Sequence, residues 1–374
     1  MTKDSHPVAA PSWWVKFPLK TSHAFLNWLL LFVPVGLFLG FVWKPSPLII
    51  FAVAALGIIP LAGVLGEATE DLASYLGQGL GGLLNATMGN ATELIIAIFA
   101  LRAGHVEVVK ASLSGSIIGN ILLVLGLSVL IGGWGRERQR FSRQAAAVNS
   151  TMMFIAVVAL VIPAVFAWSV FGQLKEHDTL IENMSLWTSG VLILVYLLSL
   201  LFSFGTHASK SNETHKSERS MSSALIALGL ATVLIGALSE ILVAQIDATK
   251  QALGLSELFL GVIVIAIIGN AAEHAAAIFF AAEDKMDLSL AIAIGSSVQI
   301  ALLVAPLLVF YSWMIHKPMS LLFVPLEMTG IALAVLIMDM ISSDGETTWF
   351  EGVQLLAVYV ILAVAFYFVP APVH

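Results

Sequence analysis

The sequence predicts an all-α integral membrane protein of about eleven transmembrane helices, one N-terminal helix followed by two inverted five-helix repeats. Three observations lead there. Hydrophobic residues make up 59% of the 374 and charged residues only 11%, with a mean hydropathy of +0.96, far from the roughly 25% charged residues of a soluble domain. The apolar runs are close to the ~20 residues that cross a ~30 Å hydrocarbon core as a helix, and they lack the apolar/polar alternation of a membrane barrel. Finally, Gly89-Asn90-Ala91-Thr92-Glu93 returns as Gly269-Asn270-Ala271-Ala272-Glu273, each time inside an apolar run.

Taken in order, the runs fall at 24–43, 48–76, 84–103, 111–133, 146–171, 185–205, 221–249, 256–282, 287–311, 319–340 and 348–369. The polar stretch before the first carries Lys3, Lys16 and Lys20. The run after it is too long for a signal-peptide core and has no small-residue cleavage site, so it is read as a span. Tryptophans near the predicted ends, among them Trp28, Trp43, Trp134, Trp168, Trp187, Trp313 and Trp349, are expected at the membrane–water boundary. With the N-terminus in the cytoplasm, eleven Lys and Arg fall on that side and six on the other, which favours this orientation and an external C-terminus. Thr206 to Ser220 has the composition of a flexible linker.

The expected organisation is therefore a tail and first helix at 1–46, a first repeat at 47–205, a cytoplasmic linker at 206–220 and a second repeat at 221–374. Gly115-Ser116 corresponds to Gly295-Ser296 at the offset of 180 that relates the two glutamates, whereas Glu67 and Gln78 match Glu240 and Gln251 at 173. Seven extra residues thus lie before the second glutamate motif. Five spans per half is an odd number, so homologous halves insert with opposite orientations, the architecture of many secondary transporters, whose sites lie near the bilayer midplane.

A carboxylate at that depth costs roughly 3 kcal/mol even on insertion scales, a cost that Glu93 and Glu273 could offset together by holding a cation or protons between them. Gly89 and Gly269 mark points where helices could approach closely or open, freeing carbonyls as hard oxygen ligands. Two carboxylates and several such oxygens suit calcium, and manganese would fit similar ligands. Asn90 and Asn270 are expected to bond the loosened backbone of the opposite half, or to act as glue between helices. Asn120 and Gln299 are further amides in apolar surroundings, although under the 180 offset they miss each other by one residue. His274, about 100° around the helix from Glu273, either modulates that acid or is packed and hydrogen-bonded. Glu67, Glu70 and Glu240, near the ends of spans two and seven, could collect cations at two matched mouths. Glu327, two residues after Pro325, is expected to make a supporting polar contact, and Asp339, Asp344 and Glu346 to lie in a solvated loop.

These motifs, with Gly115-Ser116-Ile117-Ile118-Gly119-Asn120 and Gly295-Ser296-Ser297-Val298-Gln299, resemble the calcium/proton exchanger (CAX) family of the cation/calcium exchanger superfamily, over spans two to eleven. The resemblance implies eleven helices, a calcium site built from Glu93, Glu273 and carbonyls near Gly89 and Gly269, and gating by spans two and seven. It implies calcium and protons as transported ions and places His274 in the proton-coupled branch; a lipid bilayer is the partner expected from the composition, and no cofactor is expected. A bacterial plasma membrane is the expected location, ahead of a vacuolar one. Sodium/calcium exchange or a manganese/proton antiporter would use the same fold, and a cation channel could use paired glutamates. An enzyme is not expected, since no nucleophile–base constellation or His-Glu-x-x-His pattern occurs, and nothing in the sequence suggests nucleic-acid binding.

Overall fold

The computed structural model describes residues 28–174, 179–207 and 220–370. The predicted tail lysines, Lys175 and most of the predicted linker lie outside these residues. The chain forms α1 (Phe32–Trp43), α2 (Pro47–Met88), α3 (Ala91–Ala103), α4 (Val106–Gly133), α5 (Arg143–Phe171), α6 (Thr179–His207), α7 (Met221–Val243), α8 (Ile246–Leu253), α9 (Glu257–Ala282), α10 (Met286–Met314), α11 (Pro325–Ser342) and α12 (Trp349–Tyr367). Among the described residues, nine helices are long and apolar enough to cross a membrane. The N-terminal α1 is shorter, and α3 has only 13 residues.

Local signals set the ends. Pro47 and Pro325 open α2 and α11, where a missing N–H costs nothing. Ser142, Ser220 and Ser256 accept a backbone N–H at the starts of α5, α7 and α9. Gly104, Gly172 and Gly254 close α3, α5 and α8 in the left-handed region, the usual glycine stop.

Two boundaries differ from expectation. The predicted helix at 84–103 is split: its first residues belong to α2, and the break falls at Gly89-Asn90. Yet α2 is not one straight rod. A Cβ at Gly81 would collide with the Ala73 backbone eight residues earlier, impossible at a rise of 1.5 Å per residue, so the chain doubles back between them. The predicted helix at 221–249 ends at Val243, and the residues after it form the separate α8, with Ile246 and Thr249 buried.

α4 and α10 are the central helices, with 78% of their most apolar windows buried against 22% for α6. α2 packs along α7, and α1 lies against both. Four helices contain a wider π-helical turn: Leu39–Trp43 in α1, Gly119–Val124 in α4, Leu260–Ile265 in α9 and Ile300–Val304 in α10. The described tryptophans named above are all exposed, as boundary residues should be.

The acids expected in a solvated loop are placed otherwise: Asp339 lies within α11, and Asp344 and Glu346 follow it at a short strand. Gln139 and Arg140 (β1) pair antiparallel with Glu346 and Thr347 (β2), and Glu346 meets Arg138 at 2.6 Å and Arg140 at 3.2 Å. The hydrogen bond from Arg138 holds the Glu346 carboxyl below the usual range. Asp339 accepts from Ser150 of α5 at 2.6 Å. These contacts tie the α4–α5 connection to the α11–α12 connection.

Among the described glycines, the tightest backbone approach between the predicted halves is α4 on α9, where a Cβ at Gly115 would overlap the Val262 carbonyl and lie 2.5 Å from Val262 Cα. Its counterpart Gly295 has nothing within 4 Å. Gly115→Ala is therefore expected to destabilise by about 1–3 kcal/mol through overpacking against immovable backbone. Gly295→Ala should be neutral or gain up to roughly 1 kcal/mol of helix preference. Thermal unfolding of the two variants in detergent reads the difference; equal melting temperatures would refute this packing.

Candidate cation site

Four helices meet at the repeated motif: α3 and α4 from the first predicted half, α9 and α10 from the second. Glu93 lies in the first turn of α3, where the helix N-terminus favours negative charge, and it is 6% exposed. Glu273 is half-buried on α9. The two carboxylates occupy the gap left by the motif glycines. A Cβ at Gly269 would stand 3.1 Å from Glu93 Cγ and 3.6 Å from its Oε1, and one at Gly89 would stand 3.9 Å from Glu273 Oε1.

At Gly89-Asn90 the backbone is broken, as expected. At Gly269 it is not: α9 runs helically through Gly269 to Ala282, so that glycine serves close approach and frees no carbonyl by unwinding.

The amides form a lattice across the halves. Asn90 Nδ2 donates to Gln299 Oε1 at 2.5 Å, and Asn90 Oδ1 accepts from Ser296 Oγ at 2.8 Å. Asn270 Nδ2 donates to Ser116 Oγ at 2.8 Å and to the Ala266 carbonyl at 2.9 Å. Asn120 Nδ2 reaches Ser296 Oγ at 3.3 Å and Asn270 Oδ1 at 3.4 Å, and its Oδ1 lies 3.0 Å from His274 Nε2. The expectation that Asn90 and Asn270 bond loosened backbone of the opposite half is thus corrected. Each bonds side chains there, and Asn270 additionally bonds a carbonyl of its own helix. Ser116 and Ser296, related by the 180 offset, are the partners that sequence reasoning did not single out; their place beside the repeated glycines was the available signal.

The one-residue slip between Asn120 and Gln299 persists in the structure. The wider turn of α4 begins at Gly119 and that of α10 at Ile300, so Asn120 sits inside its turn and Gln299 just before its own. Both amides nevertheless reach the lattice.

With the lattice satisfied, the carboxylates are left over. Both oxygens of Glu93 and Oε2 of Glu273 are buried without a hydrogen-bond partner among the described residues. Ser296 also reaches the Glu273 carboxylate. Such oxygens can take a hard cation or protons.

The outer acids are distributed differently from expectation. Glu67 and Glu70 are exposed on α2. Glu240 does not stand at a purely acidic mouth: it lines a cavity of about 500 Å³ together with Arg102, Phe99, Ala103, Val243 and Ala244. His105, Asp247 and Glu257 also converge, with ligand atoms within 4.8 Å of one another. Lys250 already supplies a cation there, bonding Asp247 at 2.8 Å and also Glu257. Its hydrogen bond pulls the Asp247 carboxyl below the ordinary range.

The family model described as "Sodium/calcium exchanger protein" matches residues 46–205 and 223–368. The chain belongs to this family. Within it, the chain is similar to a Ca(2+)/H(+) antiporter of Synechocystis sp., 45% identical over 342 residues that span 86% of this chain and 91% of the relative. It is also similar to the Ca(2+)/H(+) antiporter ChaA of Bacillus subtilis, 43% identical over 344 residues, 90% and 96% of the two chains. The solved structure of native YfkE superposes with a TM-score of 0.80 at 41% identity, covering 93% of this chain and 99% of that one. The family match and these relatives agree with the sequence resemblance.

Ser116→Ala and Ser296→Ala each strip a hydroxyl from a buried amide and should cost about 1–3 kcal/mol apiece. The fall in melting temperature of the purified protein without divalent cations measures this, and a variant as stable as the parent would show that the lattice bond is not made.

Proposed function

We propose that the chain exchanges calcium for protons across a membrane, with Glu93 and Glu273 held alternately by the cation and by protons. The observation that carries this reading is the pair of neighbouring carboxylates, three of whose four oxygens are buried without a hydrogen-bond partner among the described residues, inside a frame of amides bonded to one another. The names of its relatives support calcium as the cation and protons as the counter-ion.

The chemistry of exchange follows from charge. Two ionised carboxylates in an apolar bundle are strongly disfavoured. One divalent cation neutralises them, and so do two protons. An empty, doubly charged site would resist moving through the apolar core, while either neutral state would pass. Binding of one ion then requires release of the other, and two protons per calcium is the natural stoichiometry of the site.

The same reading assigns the predicted inverted halves, alternating access and cytoplasmic N-terminus to this chain, with a bacterial plasma membrane as its location. Asn90, Asn270, Asn120 and Gln299 then serve as an uncharged frame around the ion, with the Gly89 break as the flexible joint. His274, bonded to Asn120, reads the state of that frame. Exposed Glu67 and Glu70 supply local negative charge on the approach, and Glu240 does so against the nearby Arg102.

Calcium added to sealed liposomes with an acid interior, containing the purified protein and a pH dye, should alkalinise the lumen. Glu93→Gln and Glu273→Gln should each reduce the signal to that of protein-free liposomes. Calcium uptake driven by a sodium gradient and indifferent to the pH gradient would overturn the proton assignment, and currents that ignore an opposing proton gradient would identify a channel.

A further inference from the structure

Glu327 is a third acid buried within the bundle, 2% exposed, and the exchange scheme above does not use it. Its oxygens are both occupied. Oε2 accepts the Val324 N–H at 3.0 Å, capping the first turn of α11. Oε1 accepts from Ser114 Oγ of α4 at 2.8 Å, and Ser114 is itself fully buried. One turn before Ser114 on α4, Lys110 is 1% exposed. Its ammonium lies 3.3 Å from Glu107 and 6.0 Å from the centre of the Phe323 ring, which leads into α11. One turn into α11, a Cβ at Gly330 would stand 3.0 Å from Ile118 of α4. The start of α11 therefore grips α4 over residues 110–118.

That stretch ends where the cation frame begins. Ser114 and Ser116 are two residues apart, about 200° around the helix, so they face opposite ways. The Ser116 side of α4 bonds Asn270, and Asn120, one turn further on, bonds Asn270, Ser296 and His274. The opposite side is bonded by Glu327. Applied to this pair, the offset of 180 residues puts Ile294 in the place of Ser114 and Ala147 in the place of Glu327. The second half thus carries no carboxylate and no hydroxyl at the matched positions, and Ala147 is exposed.

We propose that Glu327 is a positioning residue for exchange: through Ser114 it sets the height and rotation of α4, and so places Ser116 and Asn120 against the second half's Asn270, without touching the cation. The inference rests on the exchange reading above. The loss of the Ser114–Glu327 bond lets α4 shift, which misaligns the frame and weakens calcium binding, whereas turnover of a loaded site and the number of protons moved stay as they were. Glutamine keeps a side-chain carbonyl that can accept from Ser114, so it restores what leucine removes.

The test is calcium-dependent alkalinisation of the same liposomes, measured against calcium concentration, with the proton-to-calcium ratio determined in parallel. Ser114→Ala and Glu327→Leu should raise the half-saturating calcium concentration by about five- to tenfold with maximal rate and ratio unchanged. Glu327→Gln should recover most of the affinity that Glu327→Leu loses. Should the leucine variant fail to insert, Ser114→Ala and Glu327→Gln decide alone. Parental affinity in Ser114→Ala refutes the proposal, as does a lowered proton-to-calcium ratio in Glu327→Gln, which would make Glu327 a carrier of transported protons. If the parent protein itself moves no protons against calcium, the exchange reading fails instead.

Discussion

An ionised carboxylate inside an apolar bundle persists only where something neutralises it, and this chain brings two of them to one place. What surrounds Glu93 and Glu273 is polar but uncharged: four amides and two hydroxyls, bonded to one another across the halves. The polar groups of the frame are thus largely bonded to one another. Glu93 and Glu273 are the components that the frame leaves incomplete, and their charge can be balanced only by something that enters.

The two halves reach this common arrangement by different local routes. In the first, the chain doubles back near Gly81 and breaks at Gly89-Asn90 before Glu93. In the second, α9 carries its glutamate on an unbroken helix that widens at Leu260–Ile265, positions that the offset of 180 relates to 80–85. The seven additional residues of the second half fall after Gln251, and just ahead of them the chain makes α8 where the first half makes its fold-back.

This explains what could be read in advance. The glutamates, the amides and the long apolar helices were legible because each is a departure from, or a run of, apolar composition that hydropathy and repetition expose. The break at Gly89 and the continuity at Gly269 were not, because both follow from nearly the same five residues; what differs is how the preceding segment arrives. The π-helical turns leave no mark either, since one extra residue per turn in an apolar run changes no pattern. Ser116 and Ser296 were passed over because a serine in an apolar helix ordinarily bonds its own preceding turn, as Ser185 and Ser297 do here.

The treatment of the other acids sharpens the distinction between structural and transported charge. Glu346 is met by Arg138 and Arg140, Asp247 and Glu257 by Lys250, and Glu327 by Ser114 and the Val324 amide. A carboxylate with a covalently attached counter-charge or a fixed donor has no need of a mobile cation, and the convergence of His105 with Asp247 and Glu257 is accordingly no rival to the centre. On the exchange reading proposed above, a lysine beside Glu93 and Glu273 would end exchange, because the counter-charge could no longer leave. On that reading the centre differs from the other acids in having a counter-charge that can leave, and the uncharged amides around it let a stable fold hold the pair.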